Sequence, residues 1–139
     1  MLIMLEVVKL KVLVLPSWYV PNGGYFFKEQ SMGLAAKGIN ISILAINEYS
    51  LRMINKLPRP NSLFKARETE EDGLLTFRSD YFRIPKDELI NLRIRRYITE
   101  KLFRLYVDKY GIPDLIHAHS VIWGGYIASI LKEKYRIPY

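Results

Sequence analysis

One segment near the N-terminus constrains the fold more than any other, because it joins an apolar strand to a helix through a loop with two adjacent glycines. The strand is predicted from Lys9 to Leu15, and the helix follows Gly24 and ends at Gly38. Consecutive apolar residues are typical of a parallel strand buried on both faces. Free amides at a helix N-terminus attract anions, and glycine lets a phosphate approach the backbone closely. The segment therefore predicts a phosphate-binding site at Gly23 and Gly24.

The rest of the chain continues this alternation of strands and helices. The predicted elements are a strand (Ile39–Ile46), a loop (47–62), a hairpin around Asp72-Gly73 (Leu63–Thr69 and Leu74–Phe82), a helix opened by Pro85 and ending near Tyr110, a strand (Asp114–His119), a helix capped by Ser120 (Val121–Tyr135) and the start of another strand (Ile137–Tyr139). This order predicts an α/β fold with a doubly wound, Rossmann-like parallel sheet, from which the hairpin is a small excursion. Because the chain stops where a strand should begin, we expect residues 1–139 to be one incomplete domain of a longer protein.

The composition excludes several kinds of chemistry. The 139 residues contain no cysteine, so disulfides, thiolate catalysis and cysteine-based metal sites are excluded. The apolar N-terminus lacks a basic leader and a cleavage site, and charges at Glu6, Lys9 and Lys11 interrupt it. We interpret it as a lead into the first strand of a cytoplasmic protein.

Most of the net charge of +7 lies between Tyr49 and Tyr110. In the long predicted helix, a buried stripe is expected from Leu89, Leu92, Tyr97, Ile98, Leu102, Leu105 and Tyr106. The other faces carry Arg93, Arg95, Arg96, Lys101, Arg104 and Lys109. This basic surface is either a solvated helix face or a contact with anionic lipid through the helix at 86–110. No motif that reads nucleic acid accompanies it, so nucleic-acid binding is not expected.

A histidine is predicted opposite the glycine loop. Ligands of doubly wound sheets sit where the strand order reverses, over the carboxyl ends of the strands. If the strand Asp114–His119 lies across that point, His119 and the glycines line one crevice. We expect His117 to point to the opposite face, so that the two imidazoles do not share a metal, and no metal site is predicted. Trp18 and Tyr19 lie near the same strand ends.

Two stretches together resemble the N-terminal half of a glycosyltransferase family 4 enzyme with the GT-B fold. They are LPSWYVPNGGYFFKEQSMGLAAKG and YGIPDLIHAHSVIWGGYIASILKEKYRIPY. The resemblance covers roughly residues 9–46 and 110–139, and the middle matches nothing specific. The family pattern Gly-His-x-Val after the first helix is here Gly38-Ile39-Asn40-Ile41.

The resemblance implies retaining transfer of a sugar, of the hexosyltransferase type, from a nucleotide-sugar donor to a hydroxyl of a glycan or lipid-linked acceptor. The acceptor side would lie in this chain, and the nucleotide in a second domain that the chain lacks, so the fragment alone is expected to be inactive. His119 would act near the transferred sugar, and Gly23 and Gly24 would bind the donor diphosphate. Trp18, Tyr19 and Ser120 would contact acceptor or sugar, with no cofactor or metal.

Two other functions remain open at the level of the sequence. A dinucleotide-binding domain of an oxidoreductase or epimerase would need Gly-x-Gly-x-x-Gly after the first strand, whereas the loop reads Pro-Asn-Gly-Gly-Tyr-Phe. Glu48 could be its ribose-binding acid. A non-catalytic subunit that recruits a separate donor-binding partner to a membrane surface is the other alternative.

Overall fold

The described residues form a five-stranded sheet with helices on both faces. The computed structural model describes residues 8–50, 52 and 60–139, so the first seven residues lie outside it. The elements are β1 (Lys11–Leu15), α1 (Tyr25–Ala36), β2 (Asn40–Tyr49), β3 (Arg67–Glu71), β4 (Leu74–Phe82), α2 (Glu88–Tyr110), β5 (Leu115–Ala118), a π-helical segment (Ser120–Gly125) and α3 (Tyr126–Tyr135).

The strand order is β3-β4-β2-β1-β5, and every neighbouring pair except β3 and β4 is parallel. The chain moves outward from β1 through β2 to β4, and α2 then returns it to the other side of β1. The strand order therefore reverses between β1 and β5. This confirms the predicted α/β, Rossmann-like sheet.

The predicted hairpin forms, but it belongs to the main sheet. β4 pairs with β2 over eight residues, from Ser42↔Leu75 to Tyr49↔Phe82. The interpretation of the hairpin as an excursion was therefore wrong. The predicted loop at 47–62 was partly wrong as well, because β2 continues to Tyr49; residues 51 and 53–59 lie outside the described part of the chain.

Apolar side chains cover both faces of the sheet. Beneath α1, Val12 and Val14 of β1 pack with Ile41 and Ile43 of β2. The larger cluster lies beneath α2 and α3, and it includes Leu13, Leu15, Leu44, Phe77, Leu102, Phe103, Ile116 and Leu131. Alternate residues of β1 thus enter opposite clusters, as expected for a strand covered on both sides.

The long helix differs from its prediction at its start and in its stripe. It begins at Glu88, because the Asp87 carboxylate caps it by accepting from the Ile90 amide at 2.9 Å; Pro85 therefore precedes the helix. Leu89 and Tyr97, expected in the stripe, are 70% and 58% exposed. The buried face instead carries Asn91, Arg95, Ile98, Thr99, Leu102, Phe103 and Tyr106.

The helix after β5 also begins differently. Ser120 was predicted to cap it, but no side-chain cap is present at either the π-helical segment or α3. Ser120 has φ +70°, and its hydroxyl contacts that of Ser17 in the loop after β1. Beyond α3, the Ile116 amide of β5 donates to the Pro138 carbonyl at 2.9 Å, where the start of another strand was predicted.

None of the described helices is long and apolar enough to cross a bilayer.

Two leucines of α2 test this placement. Leu102→Ala should lower the free energy of unfolding by about 2–5 kcal/mol, because Leu102 is fully buried. Leu89→Ala, the matched control on the same helix, should change it by less than about 0.5 kcal/mol. Urea denaturation followed by circular dichroism measures both. Equal losses would contradict the observed orientation of α2.

Candidate functional site

The loop between β1 and α1 crosses the carboxyl edge of the sheet beside the point where the strand order reverses. Gly23 and Gly24 both have positive φ, +114° and +74°. A Cβ at Gly24 would lie 2.5 Å from the Trp18 carbonyl oxygen. Gly24 is thus required by the fold of the loop itself, because a side chain would collide with its backbone.

The N-terminus of α1 lacks a protein-derived cap. Gly24 occupies the N-cap position, no side chain caps the helix, and no acidic residue lies in its first turn. Helix amides left free in this way carry partial positive charge. The anion-accepting helix start at Gly23 and Gly24 stays a prediction, and the absence of a side-chain cap is compatible with it.

His119 lies across the strand reversal from this loop. Its amide donates to the Leu15 carbonyl at 3.0 Å, and its carbonyl accepts from the Ser17 hydroxyl at 2.7 Å. Its ring centroid is 4.2 Å from that of Phe27, in the first turn of α1. The structure therefore brings the histidine and the start of the glycine-preceded helix together.

The His119 side chain is nine-tenths buried, and its Nε2 has no hydrogen-bond partner among the described residues. Burial, with a smaller contribution from neighbouring His117, lowers the pKa of His119 to about 4. The imidazole is therefore neutral at physiological pH, and its Nε2 accepts or donates one hydrogen bond according to the tautomer.

The expectation that His117 points away from His119 was wrong. Their ring centroids are 4.3 Å apart. Residues two apart along a strand share a face, and the chain keeps this alternation to the end of β5. In the described part of the chain, however, no three histidine or carboxylate side chains are grouped to hold a metal ion.

The two predicted aromatic contacts have different environments. Trp18 is 52% exposed, and its ring packs 5.6 Å from Phe27. Tyr19 is 2% exposed, and burial raises its pKa to about 12. Its ring lies under the guanidinium of Arg78, which lowers that pKa in part. Trp18 is therefore accessible at the surface, whereas the Tyr19 ring packs within the fold.

Sequence reasoning missed a buried arginine at the centre of the site. Arg95 was expected on the exposed basic face of α2, but it is 5% exposed. It donates to the Ser17 carbonyl at 2.7 Å and to the Glu48 carboxylate at 3.2 Å. Its guanidinium lies 4.8 Å from the ring centre of Trp123. Arg95 thus ties the β1–α1 loop to β2 and the π-helical segment.

A second buried arginine holds the same loop from the other face of the sheet. Arg78 of β4 donates to the Val20 carbonyl at 2.7 Å. The same side chain bonds twice to Glu71 at 2.6 Å and once to Asn47 at 2.9 Å. The Arg78 guanidinium lowers the pKa of Glu71 despite the opposing effect of burial.

A cleft of about 320 Å³ opens between the loop, the end of β2 and α2. Its lining comprises Ser17, Trp18, Tyr19, Asn22, Ile46, Glu48, Arg83, Arg95 and Trp123. Glu48, considered in the sequence only as a ribose-binding acid, accepts hydrogen bonds from Tyr81, Arg83 and Arg95. The only sequence signal for this cluster was position, because Glu48 lies at the end of an apolar strand segment and Arg83 directly follows β4.

The comparisons with known proteins give one similarity. The chain is 27% identical over 129 residues to "Putative teichuronic acid biosynthesis glycosyltransferase TuaC" of Bacillus subtilis (strain 168). The aligned part is 91% of this chain but 33% of that relative, so the chain spans a third of its length. No family model and no solved structure matches the chain. The similarity supports a glycosyltransferase relationship.

Substitution of glycine in two contexts tests the loop geometry. Gly24→Ala should lower the free energy of unfolding by more than about 1–2 kcal/mol. The positive φ alone accounts for about that much, and the clash of the new Cβ with the Trp18 carbonyl oxygen adds to it. Gly33→Ala, within α1 and with open space around it, should raise that free energy by about 0.5–1 kcal/mol. Thermal and urea unfolding of the two variants give the comparison. A neutral Gly24→Ala would refute the tight loop.

Proposed function

We propose that this chain is the acceptor-side, N-terminal part of a retaining glycosyltransferase of family 4 with the GT-B fold. The observation that carries the proposal is the convergence of the uncapped, glycine-preceded start of α1 with buried His119, whose Nε2 has no hydrogen-bond partner among the described residues. The similarity to a glycosyltransferase supports the general activity. A hexose on a nucleotide carrier is the proposed donor, and a glycan or lipid-linked hydroxyl is the proposed acceptor.

The proposed roles follow from the charge that develops in the reaction. The leaving group is a nucleotide diphosphate, so negative charge grows on phosphate oxygens as the bond to the sugar breaks. Preorganised N–H groups directed at such charge stabilise the transition state. The amides around Gly23 and Gly24 would supply them, and His119 Nε2 would bond a hydroxyl of the transferred sugar. Trp18 and Ser120 would lie toward the acceptor.

The reaction as proposed requires a second domain that binds the nucleotide. Residues 1–139 would then supply half of the cleft, and the 139-residue chain alone would not transfer sugar. The relative, named for teichuronic acid biosynthesis, is about three times as long as the aligned region. We extend the proposal to polysaccharide biosynthesis in the cytoplasm, with no metal or other cofactor.

The dinucleotide-binding alternative is less well supported by the site. The acid it requires, Glu48, accepts hydrogen bonds from Tyr81, Arg83 and Arg95. A ribose would have to compete with these donors for the carboxylate. The loop also lacks the required glycine spacing.

His119→Ala in the full-length protein tests the transferase proposal. Transfer from nucleotide-sugar donors should fall by about 10²–10³ in kcat, the range found when one preorganised donor is removed. Release of nucleoside diphosphate, measured across a panel of sugar donors, gives the rate.

The control for folding is the unfolding temperature of the variant, because His119 is buried. His119→Gln, which keeps a hydrogen-bonding side chain, should recover part of the activity. Unchanged kcat in a folded His119→Ala protein would remove His119 from the proposed site.

Part of α2 favours contact with a membrane surface. Apolar Leu89, Ile90 and Tyr97 are exposed on the same side of the helix as Arg93 and Arg96. We call these five residues the α2 patch. Exposed apolar groups beside cations are typical of helices that lie on anionic lipid. We therefore propose peripheral membrane contact through the α2 patch, without the buried Arg95.

Vesicle binding tests this contact. The protein should co-sediment with phosphatidylglycerol vesicles, and Arg93→Gln/Arg96→Gln should weaken binding by roughly thirtyfold, because each lost cation costs about 1 kcal/mol. Lys132→Gln/Lys134→Gln removes the same charge from α3 and should have little effect. Equal losses in both double variants would show nonspecific attraction and contradict a defined patch.

A further inference from the structure

The charged side chains of the cleft beside the glycine loop lie at different depths. It contains one carboxylate, Glu48, and two guanidinium groups, Arg83 and Arg95. The side chain of Arg95 is 6% exposed, that of Glu48 is 25% exposed and that of Arg83 is 39% exposed. The charge nearest to solvent is therefore the cation of Arg83.

The carboxylate of Glu48 is already well satisfied. Its Oε2 accepts from the Tyr81 hydroxyl at 2.5 Å and from Arg95 at 3.2 Å, and its Oε1 accepts from Arg83 at 3.2 Å. Burial and the bond to Glu48 raise the pKa of Tyr81, so Tyr81 remains a donor. Glu48 and Arg95 thus form an ion pair at the base of the cleft, and this pair presents little net negative charge to a ligand.

Arg83 is the more accessible of the two guanidinium groups. Besides Glu48, it contacts Glu88, whose side chain is 58% exposed. Exposed ion pairs of this kind contribute little free energy, so a better-placed anion can replace Glu88. A guanidinium presents five N–H donors in a planar fork that matches carboxylate and phosphate oxygens.

The remaining walls favour a sugar ring. Trp18 lies at one side of the cleft with half of its surface exposed, and Trp123 lines the cleft beneath. An indole face can pack against the apolar face of a sugar ring, while polar side chains form hydrogen bonds with the hydroxyl groups of the sugar. The cleft volume of about 320 Å³ is within the range of small-molecule sites.

We propose that this cleft binds an anionic sugar unit of the acceptor, with the ring against Trp18 and a carboxylate or phosphate oxyanion on Arg83. The assignment rests on the proposed function, because it identifies the cleft with the acceptor side of a transferase. A sugar carboxylate and a sugar phosphate share the feature that this cleft would bind, which is an oxyanion close to a pyranose ring.

Three sugars that differ at one carbon test the proposal. D-glucuronate, D-glucose 6-phosphate and D-glucose share the ring and differ only at C6, which carries a carboxylate, a phosphate ester or a hydroxyl group. Each is titrated into the full natural protein without donor, and the Trp18 and Trp123 indole signals are followed by NMR. At least one anionic sugar should bind roughly tenfold more tightly than glucose. Preference for glucuronate identifies a carboxylate source, and preference for glucose 6-phosphate identifies a phosphate source.

Matched variants separate the cleft from general charge. Arg83→Gln should abolish the preference, so that the anionic sugar and glucose bind with about equal affinity. Arg83→Lys should restore part of the preference. Arg104→Gln removes the same charge from an exposed position of α2 outside the cleft and should leave the preference unchanged. Trp18→Ala should weaken binding of all three sugars.

Equal binding of glucose and the anionic sugars would overturn the proposal, as would equal losses in Arg83→Gln and Arg104→Gln. The proposed function fails separately. If the full-length protein binds anionic sugars selectively but releases no nucleoside diphosphate from any donor, the cleft assignment stands and the transferase fails. If it transfers sugar without this selectivity, only the cleft assignment fails.

Discussion

Two buried arginines hold the loop on which the candidate site depends. Arg95 reaches the Ser17 carbonyl from the α2 face of the sheet, and Arg78 reaches the Val20 carbonyl from the α1 face. Trp18 and Tyr19 lie between these two anchor points. The loop has no regular secondary structure, so these bonds, together with the one from the Ser17 hydroxyl to the His119 carbonyl, hold its exposed groups in place.

Burying two guanidinium groups requires compensation, because a lone charge in the protein interior costs several kcal/mol. Arg78 is compensated by the bidentate bond to Glu71 and by Asn47, which in turn donates to Asp80. Arg95 has weaker compensation, since its bond to Glu48 is 3.2 Å long and its Nε has no partner among the described residues. Its position over Trp123 adds a cation–π contact. The α2 side of the loop is thus the more weakly anchored side.

Local signals in the sequence predicted much of the fold. The strand, glycine loop and helix from Lys11 to Ala36 depend on neighbouring residues, and so does the hairpin at Asp72-Gly73. Short-range rules therefore recovered them. The strand across the reversal, with His119 after it, followed from topology. Whether His119 and the glycines act as predicted stays a prediction.

The site beyond these residues depended on contacts that a single sequence does not display. Arg95 meets Ser17 and Glu48 across 78 and 47 residues. Arg95 was predicted to be exposed because it is charged, whereas Leu89 and Tyr97 were predicted to be buried because they are apolar. Helix orientation was decided by the whole buried face of α2, which includes Asn91 and Thr99 as well as Leu102. Residue type alone could not reveal this.

The antiparallel strand β3 has a consequence for how the molecule behaves among its own copies. It is the outermost strand on its side of the sheet, and its sequence is Arg-Glu-Thr-Glu-Glu. An open strand edge is a template for pairing with another chain, and charged side chains discourage that pairing. The charged side chains on β3, Arg67, Glu68, Glu70 and Glu71, would lose water if the same strand of a second molecule paired beside them. In the described part of the chain, the sheet therefore ends on this side in a charged edge, which disfavours pairing with another copy.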